Sequence, residues 1–132
     1  MTLAYVCVLI AALLPIVCAG IAKRGMFSVP PAKGGYDNAE PRAWLARQTG
    51  YRARANAAQA NSFEALPLFI GAVIIAHQLR ANQHLVDGLA VAFVLLRVAY
   101  IGLYLGDRNL ARSGVWALAL LCSIALLFAG AF

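Results

Sequence analysis

Arg54, Asn61, Glu64, Arg97, Tyr100, Tyr104, Arg112 and Ser113 are charged or strongly hydrogen-bonding groups carried by segments otherwise rich in apolar residues. On a helix turning about 100° per residue, Arg54 lies about 20° from Asn61 and Glu64 about 60° to its other side. Those three therefore share a face, while Arg52, Asn56 and Gln59 fall about 160–220° away, on the opposite one. Arg97, Tyr100 and Tyr104 repeat at spacings of three and four, a second stripe. Arg112 and Ser113 open the last apolar run. One chemistry for such a set is capture of an anionic ligand by cations that converge at one level. The other is mutual satisfaction, in which the polar groups hold helices together. Arg97 is the one cation deep in apolar sequence, and Glu64 is the anion matched to it, as a pair or through a bridging water. A charge facing hydrocarbon costs about 2.5–3.5 kcal/mol, so each needs a partner or a wet cavity.

Other chemistries find no support. Cys7, Cys18 and Cys122 sit in apolar runs without CxxC spacing or a neighbouring His, so they read as small buried hydrophobes and no metal site is expected. His77 and His84 lie toward the other end of their helices and read as helix-end polar groups. The net charge of +6 comes largely from Lys23, Arg24, Lys33, Arg42, Arg47, Arg52 and Arg54, in one connecting segment and the helix start after it. That is a loop held at a membrane face, not a groove tracking phosphates, so no nucleic-acid partner is expected. A proton-coupled efflux carrier would need a carboxylate in the first helix, which has none.

The elements that must position these residues are membrane helices. The 132-residue chain is 63% hydrophobic and 12% charged, against about 25% charged in a soluble globule. So short a chain cannot bury that much apolar surface within itself, and lipid is the solvent that fits. Residues 3–22 form an uncharged run long enough to span a bilayer at about 1.5 Å per residue, with Pro15 inside it. Its basic residues follow the run instead of preceding it, which favours a retained helix over a cleaved signal. A loop marked by Pro30, Pro31, Gly34, Gly35 and Pro41 reaches to about Arg42. Helix is then expected over 43–79, bent at Pro67, over 85–105, and over 111–131. The expected fold is all-α: a single domain, an integral-membrane four-helix bundle with up-down topology. Basic residues cluster in the first and third connections, which places those in the cytoplasm and both termini on the non-cytoplasmic side. A second helix polar on two faces belongs at the centre of the bundle or of an oligomer.

The run Arg54-Ala-Asn-Ala-Ala-Gln59-Ala-Asn61-Ser-Phe-Glu64-Ala-Leu-Pro67 resembles the second-helix signature of the MAPEG family, the membrane-associated proteins in eicosanoid and glutathione metabolism. Arg97-Val-Ala-Tyr100 with Tyr104 is similar to the family's third-helix motif, and Arg112-Ser113 to the start of its fourth helix. The stretch Tyr36-Asp-Asn-Ala-Glu-Pro-Arg-Ala-Trp44 resembles the bacterial branch, which implies the inner membrane. The resemblance implies a homotrimer in membrane lipid, with glutathione as co-substrate bound between subunits near the cytoplasmic side. Arg54, Asn61, Glu64, Arg97, Tyr100 and Tyr104 would bind it, Glu64 at its amino end and the arginines at its carboxylates. Arg112, with Ser113, would hold the sulfur as thiolate for attack on a lipophilic small-molecule electrophile, as a transferase or peroxidase. Ala57 stands where eicosanoid-type members carry an arginine, and Ile101 and Trp116 where some carry Thr and Tyr. The first departure removes a carboxylate clamp and argues against an eicosanoid substrate. It also motivates a second reading, a catalytically silent protein of this fold that binds another anionic ligand or a partner.

Overall fold

The computed structural model describes residues 1–131. Four helices have the length and apolarity to cross a membrane: α1 (Leu3–Lys23), α3 (Gly50–Gln78), α4 (Gln83–Leu105) and α5 (Asn109–Phe128), the last continued by one 3₁₀ turn, Ala129–Ala131. A short helix, α2 (Pro41–Ala46), precedes α3. No strand occurs among the described residues. The chain is an all-α, multi-pass integral membrane protein. Leu9, Leu13, Ile16, Val17, Leu95, Val98, Leu118 and Leu121 point outward, a belt that only lipid can solvate.

The connections between α3 and α4 (residues 79–82) and between α4 and α5 (residues 106–108) are too short for anything but antiparallel neighbours. At one end Thr2 meets His77, and Leu79 lies against Gly130, so both ends of the described chain sit together. At the other, basic end, Arg52 Nη1 donates to the Ala22 carbonyl at 2.7 Å, closing the C-terminus of α1. Helices α1 and α5 flank opposite sides of the α3–α4 pair.

Close approach of α1 to this pair follows from its sequence. Ala4, Cys7, Ala11, Pro15, Cys18 and Ala22 recur every three or four residues and are all buried. They face Ala55, Ala58, Ser62, Ala72 and Ala76 on the buried face of α3. In lipid, helix association rests on van der Waals packing, which small residues allow. Deeper in the bundle Phe69 of α3 stacks on Phe93 of α4, ring centroids 3.8 Å apart. At the chain-end side, Asp87 Oδ1 accepts the Ala4 N–H at 2.8 Å, satisfying a free first-turn donor of α1 from a different helix. His77 Nδ1 lies 2.8 Å from the Val73 carbonyl, which can only accept. Nδ1 therefore carries the proton and Nε2 accepts from the Thr2 hydroxyl at 3.0 Å. Tyr5 stacks on the same ring. The His is a helix-end tie.

One expectation needs correction. The segment 43–79 is not a single helix. It starts earlier, at Pro41, where proline suits the first helical turn, and breaks after Ala46. Gly50 has φ +61, a left-handed conformation open to glycine at little cost, and redirects the chain into α3. Gln48 Nε2 donates to the Trp44 carbonyl and occupies an acceptor that a continuing helix would use. The connection 24–49 packs as a cap: Trp44 donates its indole N–H to the Gly34 carbonyl, and Tyr36 sits edge-on between Trp44 and Phe27, with Lys23 over its face. Gly35 is required there, because a Cβ would collide with the Val29 carbonyl. The third and fourth spans begin two residues earlier than expected, at Gln83 and Asn109, the third because Asn82 caps the N–H groups of His84 and Leu85.

Ala58→Leu tests the seam. Ala58 is fully buried against Cys18, Tyr100 and Ile101, and overpacking such a site costs about 1–3 kcal/mol. A lower midpoint of unfolding in detergent is expected, whereas Ala99→Leu, exposed beside Leu95 and Val98 on the outward face of α4, leaves it unchanged.

Candidate functional site

Arg97 is the most constrained polar residue of the bundle. It is 2% exposed, on α4, and its Nη2 donates to Ser62 Oγ of α3 at 3.2 Å. Its guanidinium lies 4.3 Å over the ring of Tyr100, one turn on. Ser62 is its one hydrogen-bond partner among the described residues. Of the two arrangements expected with Glu64, a pair or a water bridge, the direct pair does not form. Glu64 instead accepts a long bond, 3.4 Å, from Asn61 Nδ2, and its carboxylate is exposed at the surface of α3. The helical angles put Glu64 and Arg97 toward one space, but the rotamer of Arg97 is taken by Ser62 and Tyr100.

That space is a cavity of about 160 Å³ between α3, α4 and α5. Asn61, Glu64, Arg97 and Ser123 give it polar atoms, and Leu68, Phe93, Trp116 and Leu120 give it apolar walls. Asn61 Oδ1 is buried with no hydrogen-bond partner. Ser123 of α5, 1% exposed, lines the cavity from the other side. An unmet buried acceptor costs about 1–3 kcal/mol, so the cavity suits an occupant that donates to Asn61 Oδ1. A second cavity, of about 210 Å³, is lined by Asn61, Tyr100, Arg112, Ser113 and Trp116. Asn61 and Trp116 line both and form the waist of one slot running from Arg112 near the basic end down to Ser123.

An aromatic ladder positions the cations. Arg97 lies on Tyr100, Tyr100 meets Tyr104 edge-on at 5.7 Å, and the guanidinium of Arg112 stacks 4.0 Å over Tyr104. Tyr104 thereby holds Arg112 without an anion, and Arg112 lines the outer cavity. Ser113 Oγ donates to the Asn109 carbonyl at 3.1 Å, so its lone pairs remain free.

Not every expected site residue reaches the slot. Tyr104 lines neither cavity and acts through Arg112. Arg54 lines neither; its Nε donates to the Leu105 carbonyl at 3.1 Å and caps the C-terminus of α4. On the opposite face of α3, Asn56 and Gln59 line an open groove with Arg42, Leu45, Ala60 and Phe63. Ser62, Ser123 and the role of Trp116 escape the motif reading. A lone Ser in an apolar run is a usable signal only once a neighbouring helix is known to bring a guanidinium beside it.

No group of three or more His, Cys, Asp and Glu able to hold a metal occurs among the described residues. Four spanning helices around a polar slot define a membrane protein with an intramembrane binding cavity. Compared with known families, the chain matches the MAPEG family over residues 3–132, and it belongs to that family. No curated protein and no solved structure matches it.

Ser62→Ala strips Arg97 of its one protein acceptor, at a cost of about 1–3 kcal/mol for the buried charge. The unfolding midpoint in detergent falls accordingly, and Ser62→Thr, which keeps the hydroxyl, recovers most of it.

Proposed function

We propose that the protein is a membrane-bound glutathione-dependent transferase or peroxidase acting on lipophilic electrophiles. The observation that carries this is Arg112: a guanidinium stacked on Tyr104, facing a slot whose far end holds Glu64 and Arg97. A thiol with pKa near 8.5 is mostly protonated at neutral pH, and a guanidinium close to the sulfur favours the thiolate. In the proposed reaction Arg112 holds that thiolate with Ser113 beside it. The sulfur lone pair forms the new C–S bond, or an S–O bond to a hydroperoxide, as the leaving group departs with the bonding electrons. Asn61, Glu64, Arg97 and Tyr100 bind the remainder of glutathione. Arg54 and Tyr104 position α4 and Arg112. Trp116 and Leu68 are exposed at the slot's rim, which suits entry of an electrophile from the bilayer.

The proposal includes a homotrimer in the inner membrane, with the basic loops and the mouth of the slot toward the cytoplasm and the termini outside. Two observations support self-association. Glu64 is an exposed carboxylate at membrane depth, and the Arg42–Asn56–Gln59 groove on the opposite face of α3 is polar as well. Neither suits lipid, and a neighbour's opposite face covers both. The second reading, a catalytically silent protein binding another anion, is favoured by Ala57, which offers no clamp beside Asn61.

Calorimetry on the purified oligomer tests the reading. Glutathione binds at millimolar concentration or better, native mass gives three subunits, and Arg112→Ala lowers conjugation of a lipophilic electrophile by about 100-fold or more while sparing most binding. An oligomer that takes up no glutathione, or an Arg112→Ala variant with full activity, overturns it.

A further inference from the structure

We infer that the folded connection between α1 and α3 is a headgroup site for anionic phospholipid, in the leaflet at the basic end of the bundle. None of the residues involved lines the slot, so the site is independent of the glutathione reading. The cations at this end divide into two groups. Lys23 lies over the Tyr36 ring, Arg52 donates to the Ala22 carbonyl, Arg54 donates to the Leu105 carbonyl and Arg112 stacks on Tyr104. Each of these is engaged by the protein itself. Arg24, Lys33 and Arg47 are exposed instead, and their side chains meet no acceptor, carboxylate or ring among the described residues.

The cap fixes where these three cations stand. Arg24 follows the last turn of α1, Lys33 ends the 3₁₀ turn Pro31–Lys33, and Arg47 follows the last turn of α2. Phe27 meets Tyr36 at 5.1 Å and Tyr36 meets Trp44 at 5.3 Å, while the Trp44 indole donates to the carbonyl of Gly34, next to Lys33. The cations are thus carried on a folded unit, which lowers the ordering cost of binding. The two acids of the segment leave them free. Asp37 accepts from the Ala39 N–H, and Glu40 lies at the opposite end of α2 from Arg47. Arg42 lines the groove on α3 that a neighbouring copy covers.

Phe27 separates a lipid from a soluble acidic partner. It is 71% exposed, more than any other aromatic side chain among the described residues, and it stands just past the end of a spanning helix. An aromatic ring at that depth inserts at the boundary of headgroups and acyl chains while neighbouring cations hold phosphate. An acidic protein in water would use the cations and gain little from the ring.

The test titrates the purified oligomer, in neutral detergent at low salt, with phosphatidylglycerol and with phosphatidylcholine of the same acyl chains, counting bound lipid by native mass. Phosphatidylglycerol is expected to bind about 100-fold more tightly, at about fivefold per cation. Arg24→Gln, Lys33→Gln and Arg47→Gln each cut that preference by about fivefold, and the triple variant abolishes it. Arg80→Gln, an exposed cation at the other end of the bundle, leaves it intact. Phe27→Ser weakens both lipids alike, by about tenfold. Equal binding of the two lipids, a preference that survives the triple substitution, or Phe27→Ser without effect overturns the inference. So does displacement of phosphatidylglycerol by equimolar inorganic phosphate, which would make the cap a general anion patch, or by equimolar polyglutamate, which would give it to an acidic protein.

Discussion

A guanidinium inside hydrocarbon must be surrounded by groups that replace its water, and the middle of this bundle is arranged around that demand. Arg97 draws a hydroxyl from α3 and an aromatic face from its own helix, and it opens onto a cavity for its remaining donors. Ser62 can reach it because α3 is lined with small residues that let neighbouring backbones come close. The alanine seam that packs α1 and the polar stripe that builds the slot are thus two faces of one helix. Overpacking the first displaces the second.

The same constraint orders the ladder from Arg97 through Tyr100 and Tyr104 to Arg112. Aromatic faces stabilise cations without neutralising them, so the charge on Arg112 stays available to a ligand. Had Glu64 closed on Arg97, the two charges of the deep cavity would satisfy one another. Instead the carboxylate hangs from Asn61 on one wall and the guanidinium is held on the other, with space between. The proposed chemistry depends on that separation.

Much of this was legible beforehand. Long uncharged runs gave away the spanning helices, and helical angles placed Asn61 and Glu64 on one side of α3 with Arg52, Asn56 and Gln59 on the other. What periodicity does not encode is where a long side chain ends. Arg54 and Arg97 were put on the right helices, yet one caps a carbonyl of α4 and the other takes Ser62 instead of Glu64. The break before Gly50 was missed because Ala43 to Gln48 has helical composition, and only the left-handed glycine and the Gln48 bond to Trp44 show that the turn is terminated. Ser123 was invisible in an apolar run until α4 brought Arg97 to the same cavity.

The central claim is that a free guanidinium in the slot holds a thiol as its anion. Thiolates absorb in the ultraviolet where thiols do not, so the difference spectrum on mixing protein with glutathione at neutral pH reads the claim directly. The account predicts one thiolate per bound glutathione in the wild type and none in Arg112→Ala. Bound glutathione that stays a neutral thiol in the wild type would contradict it.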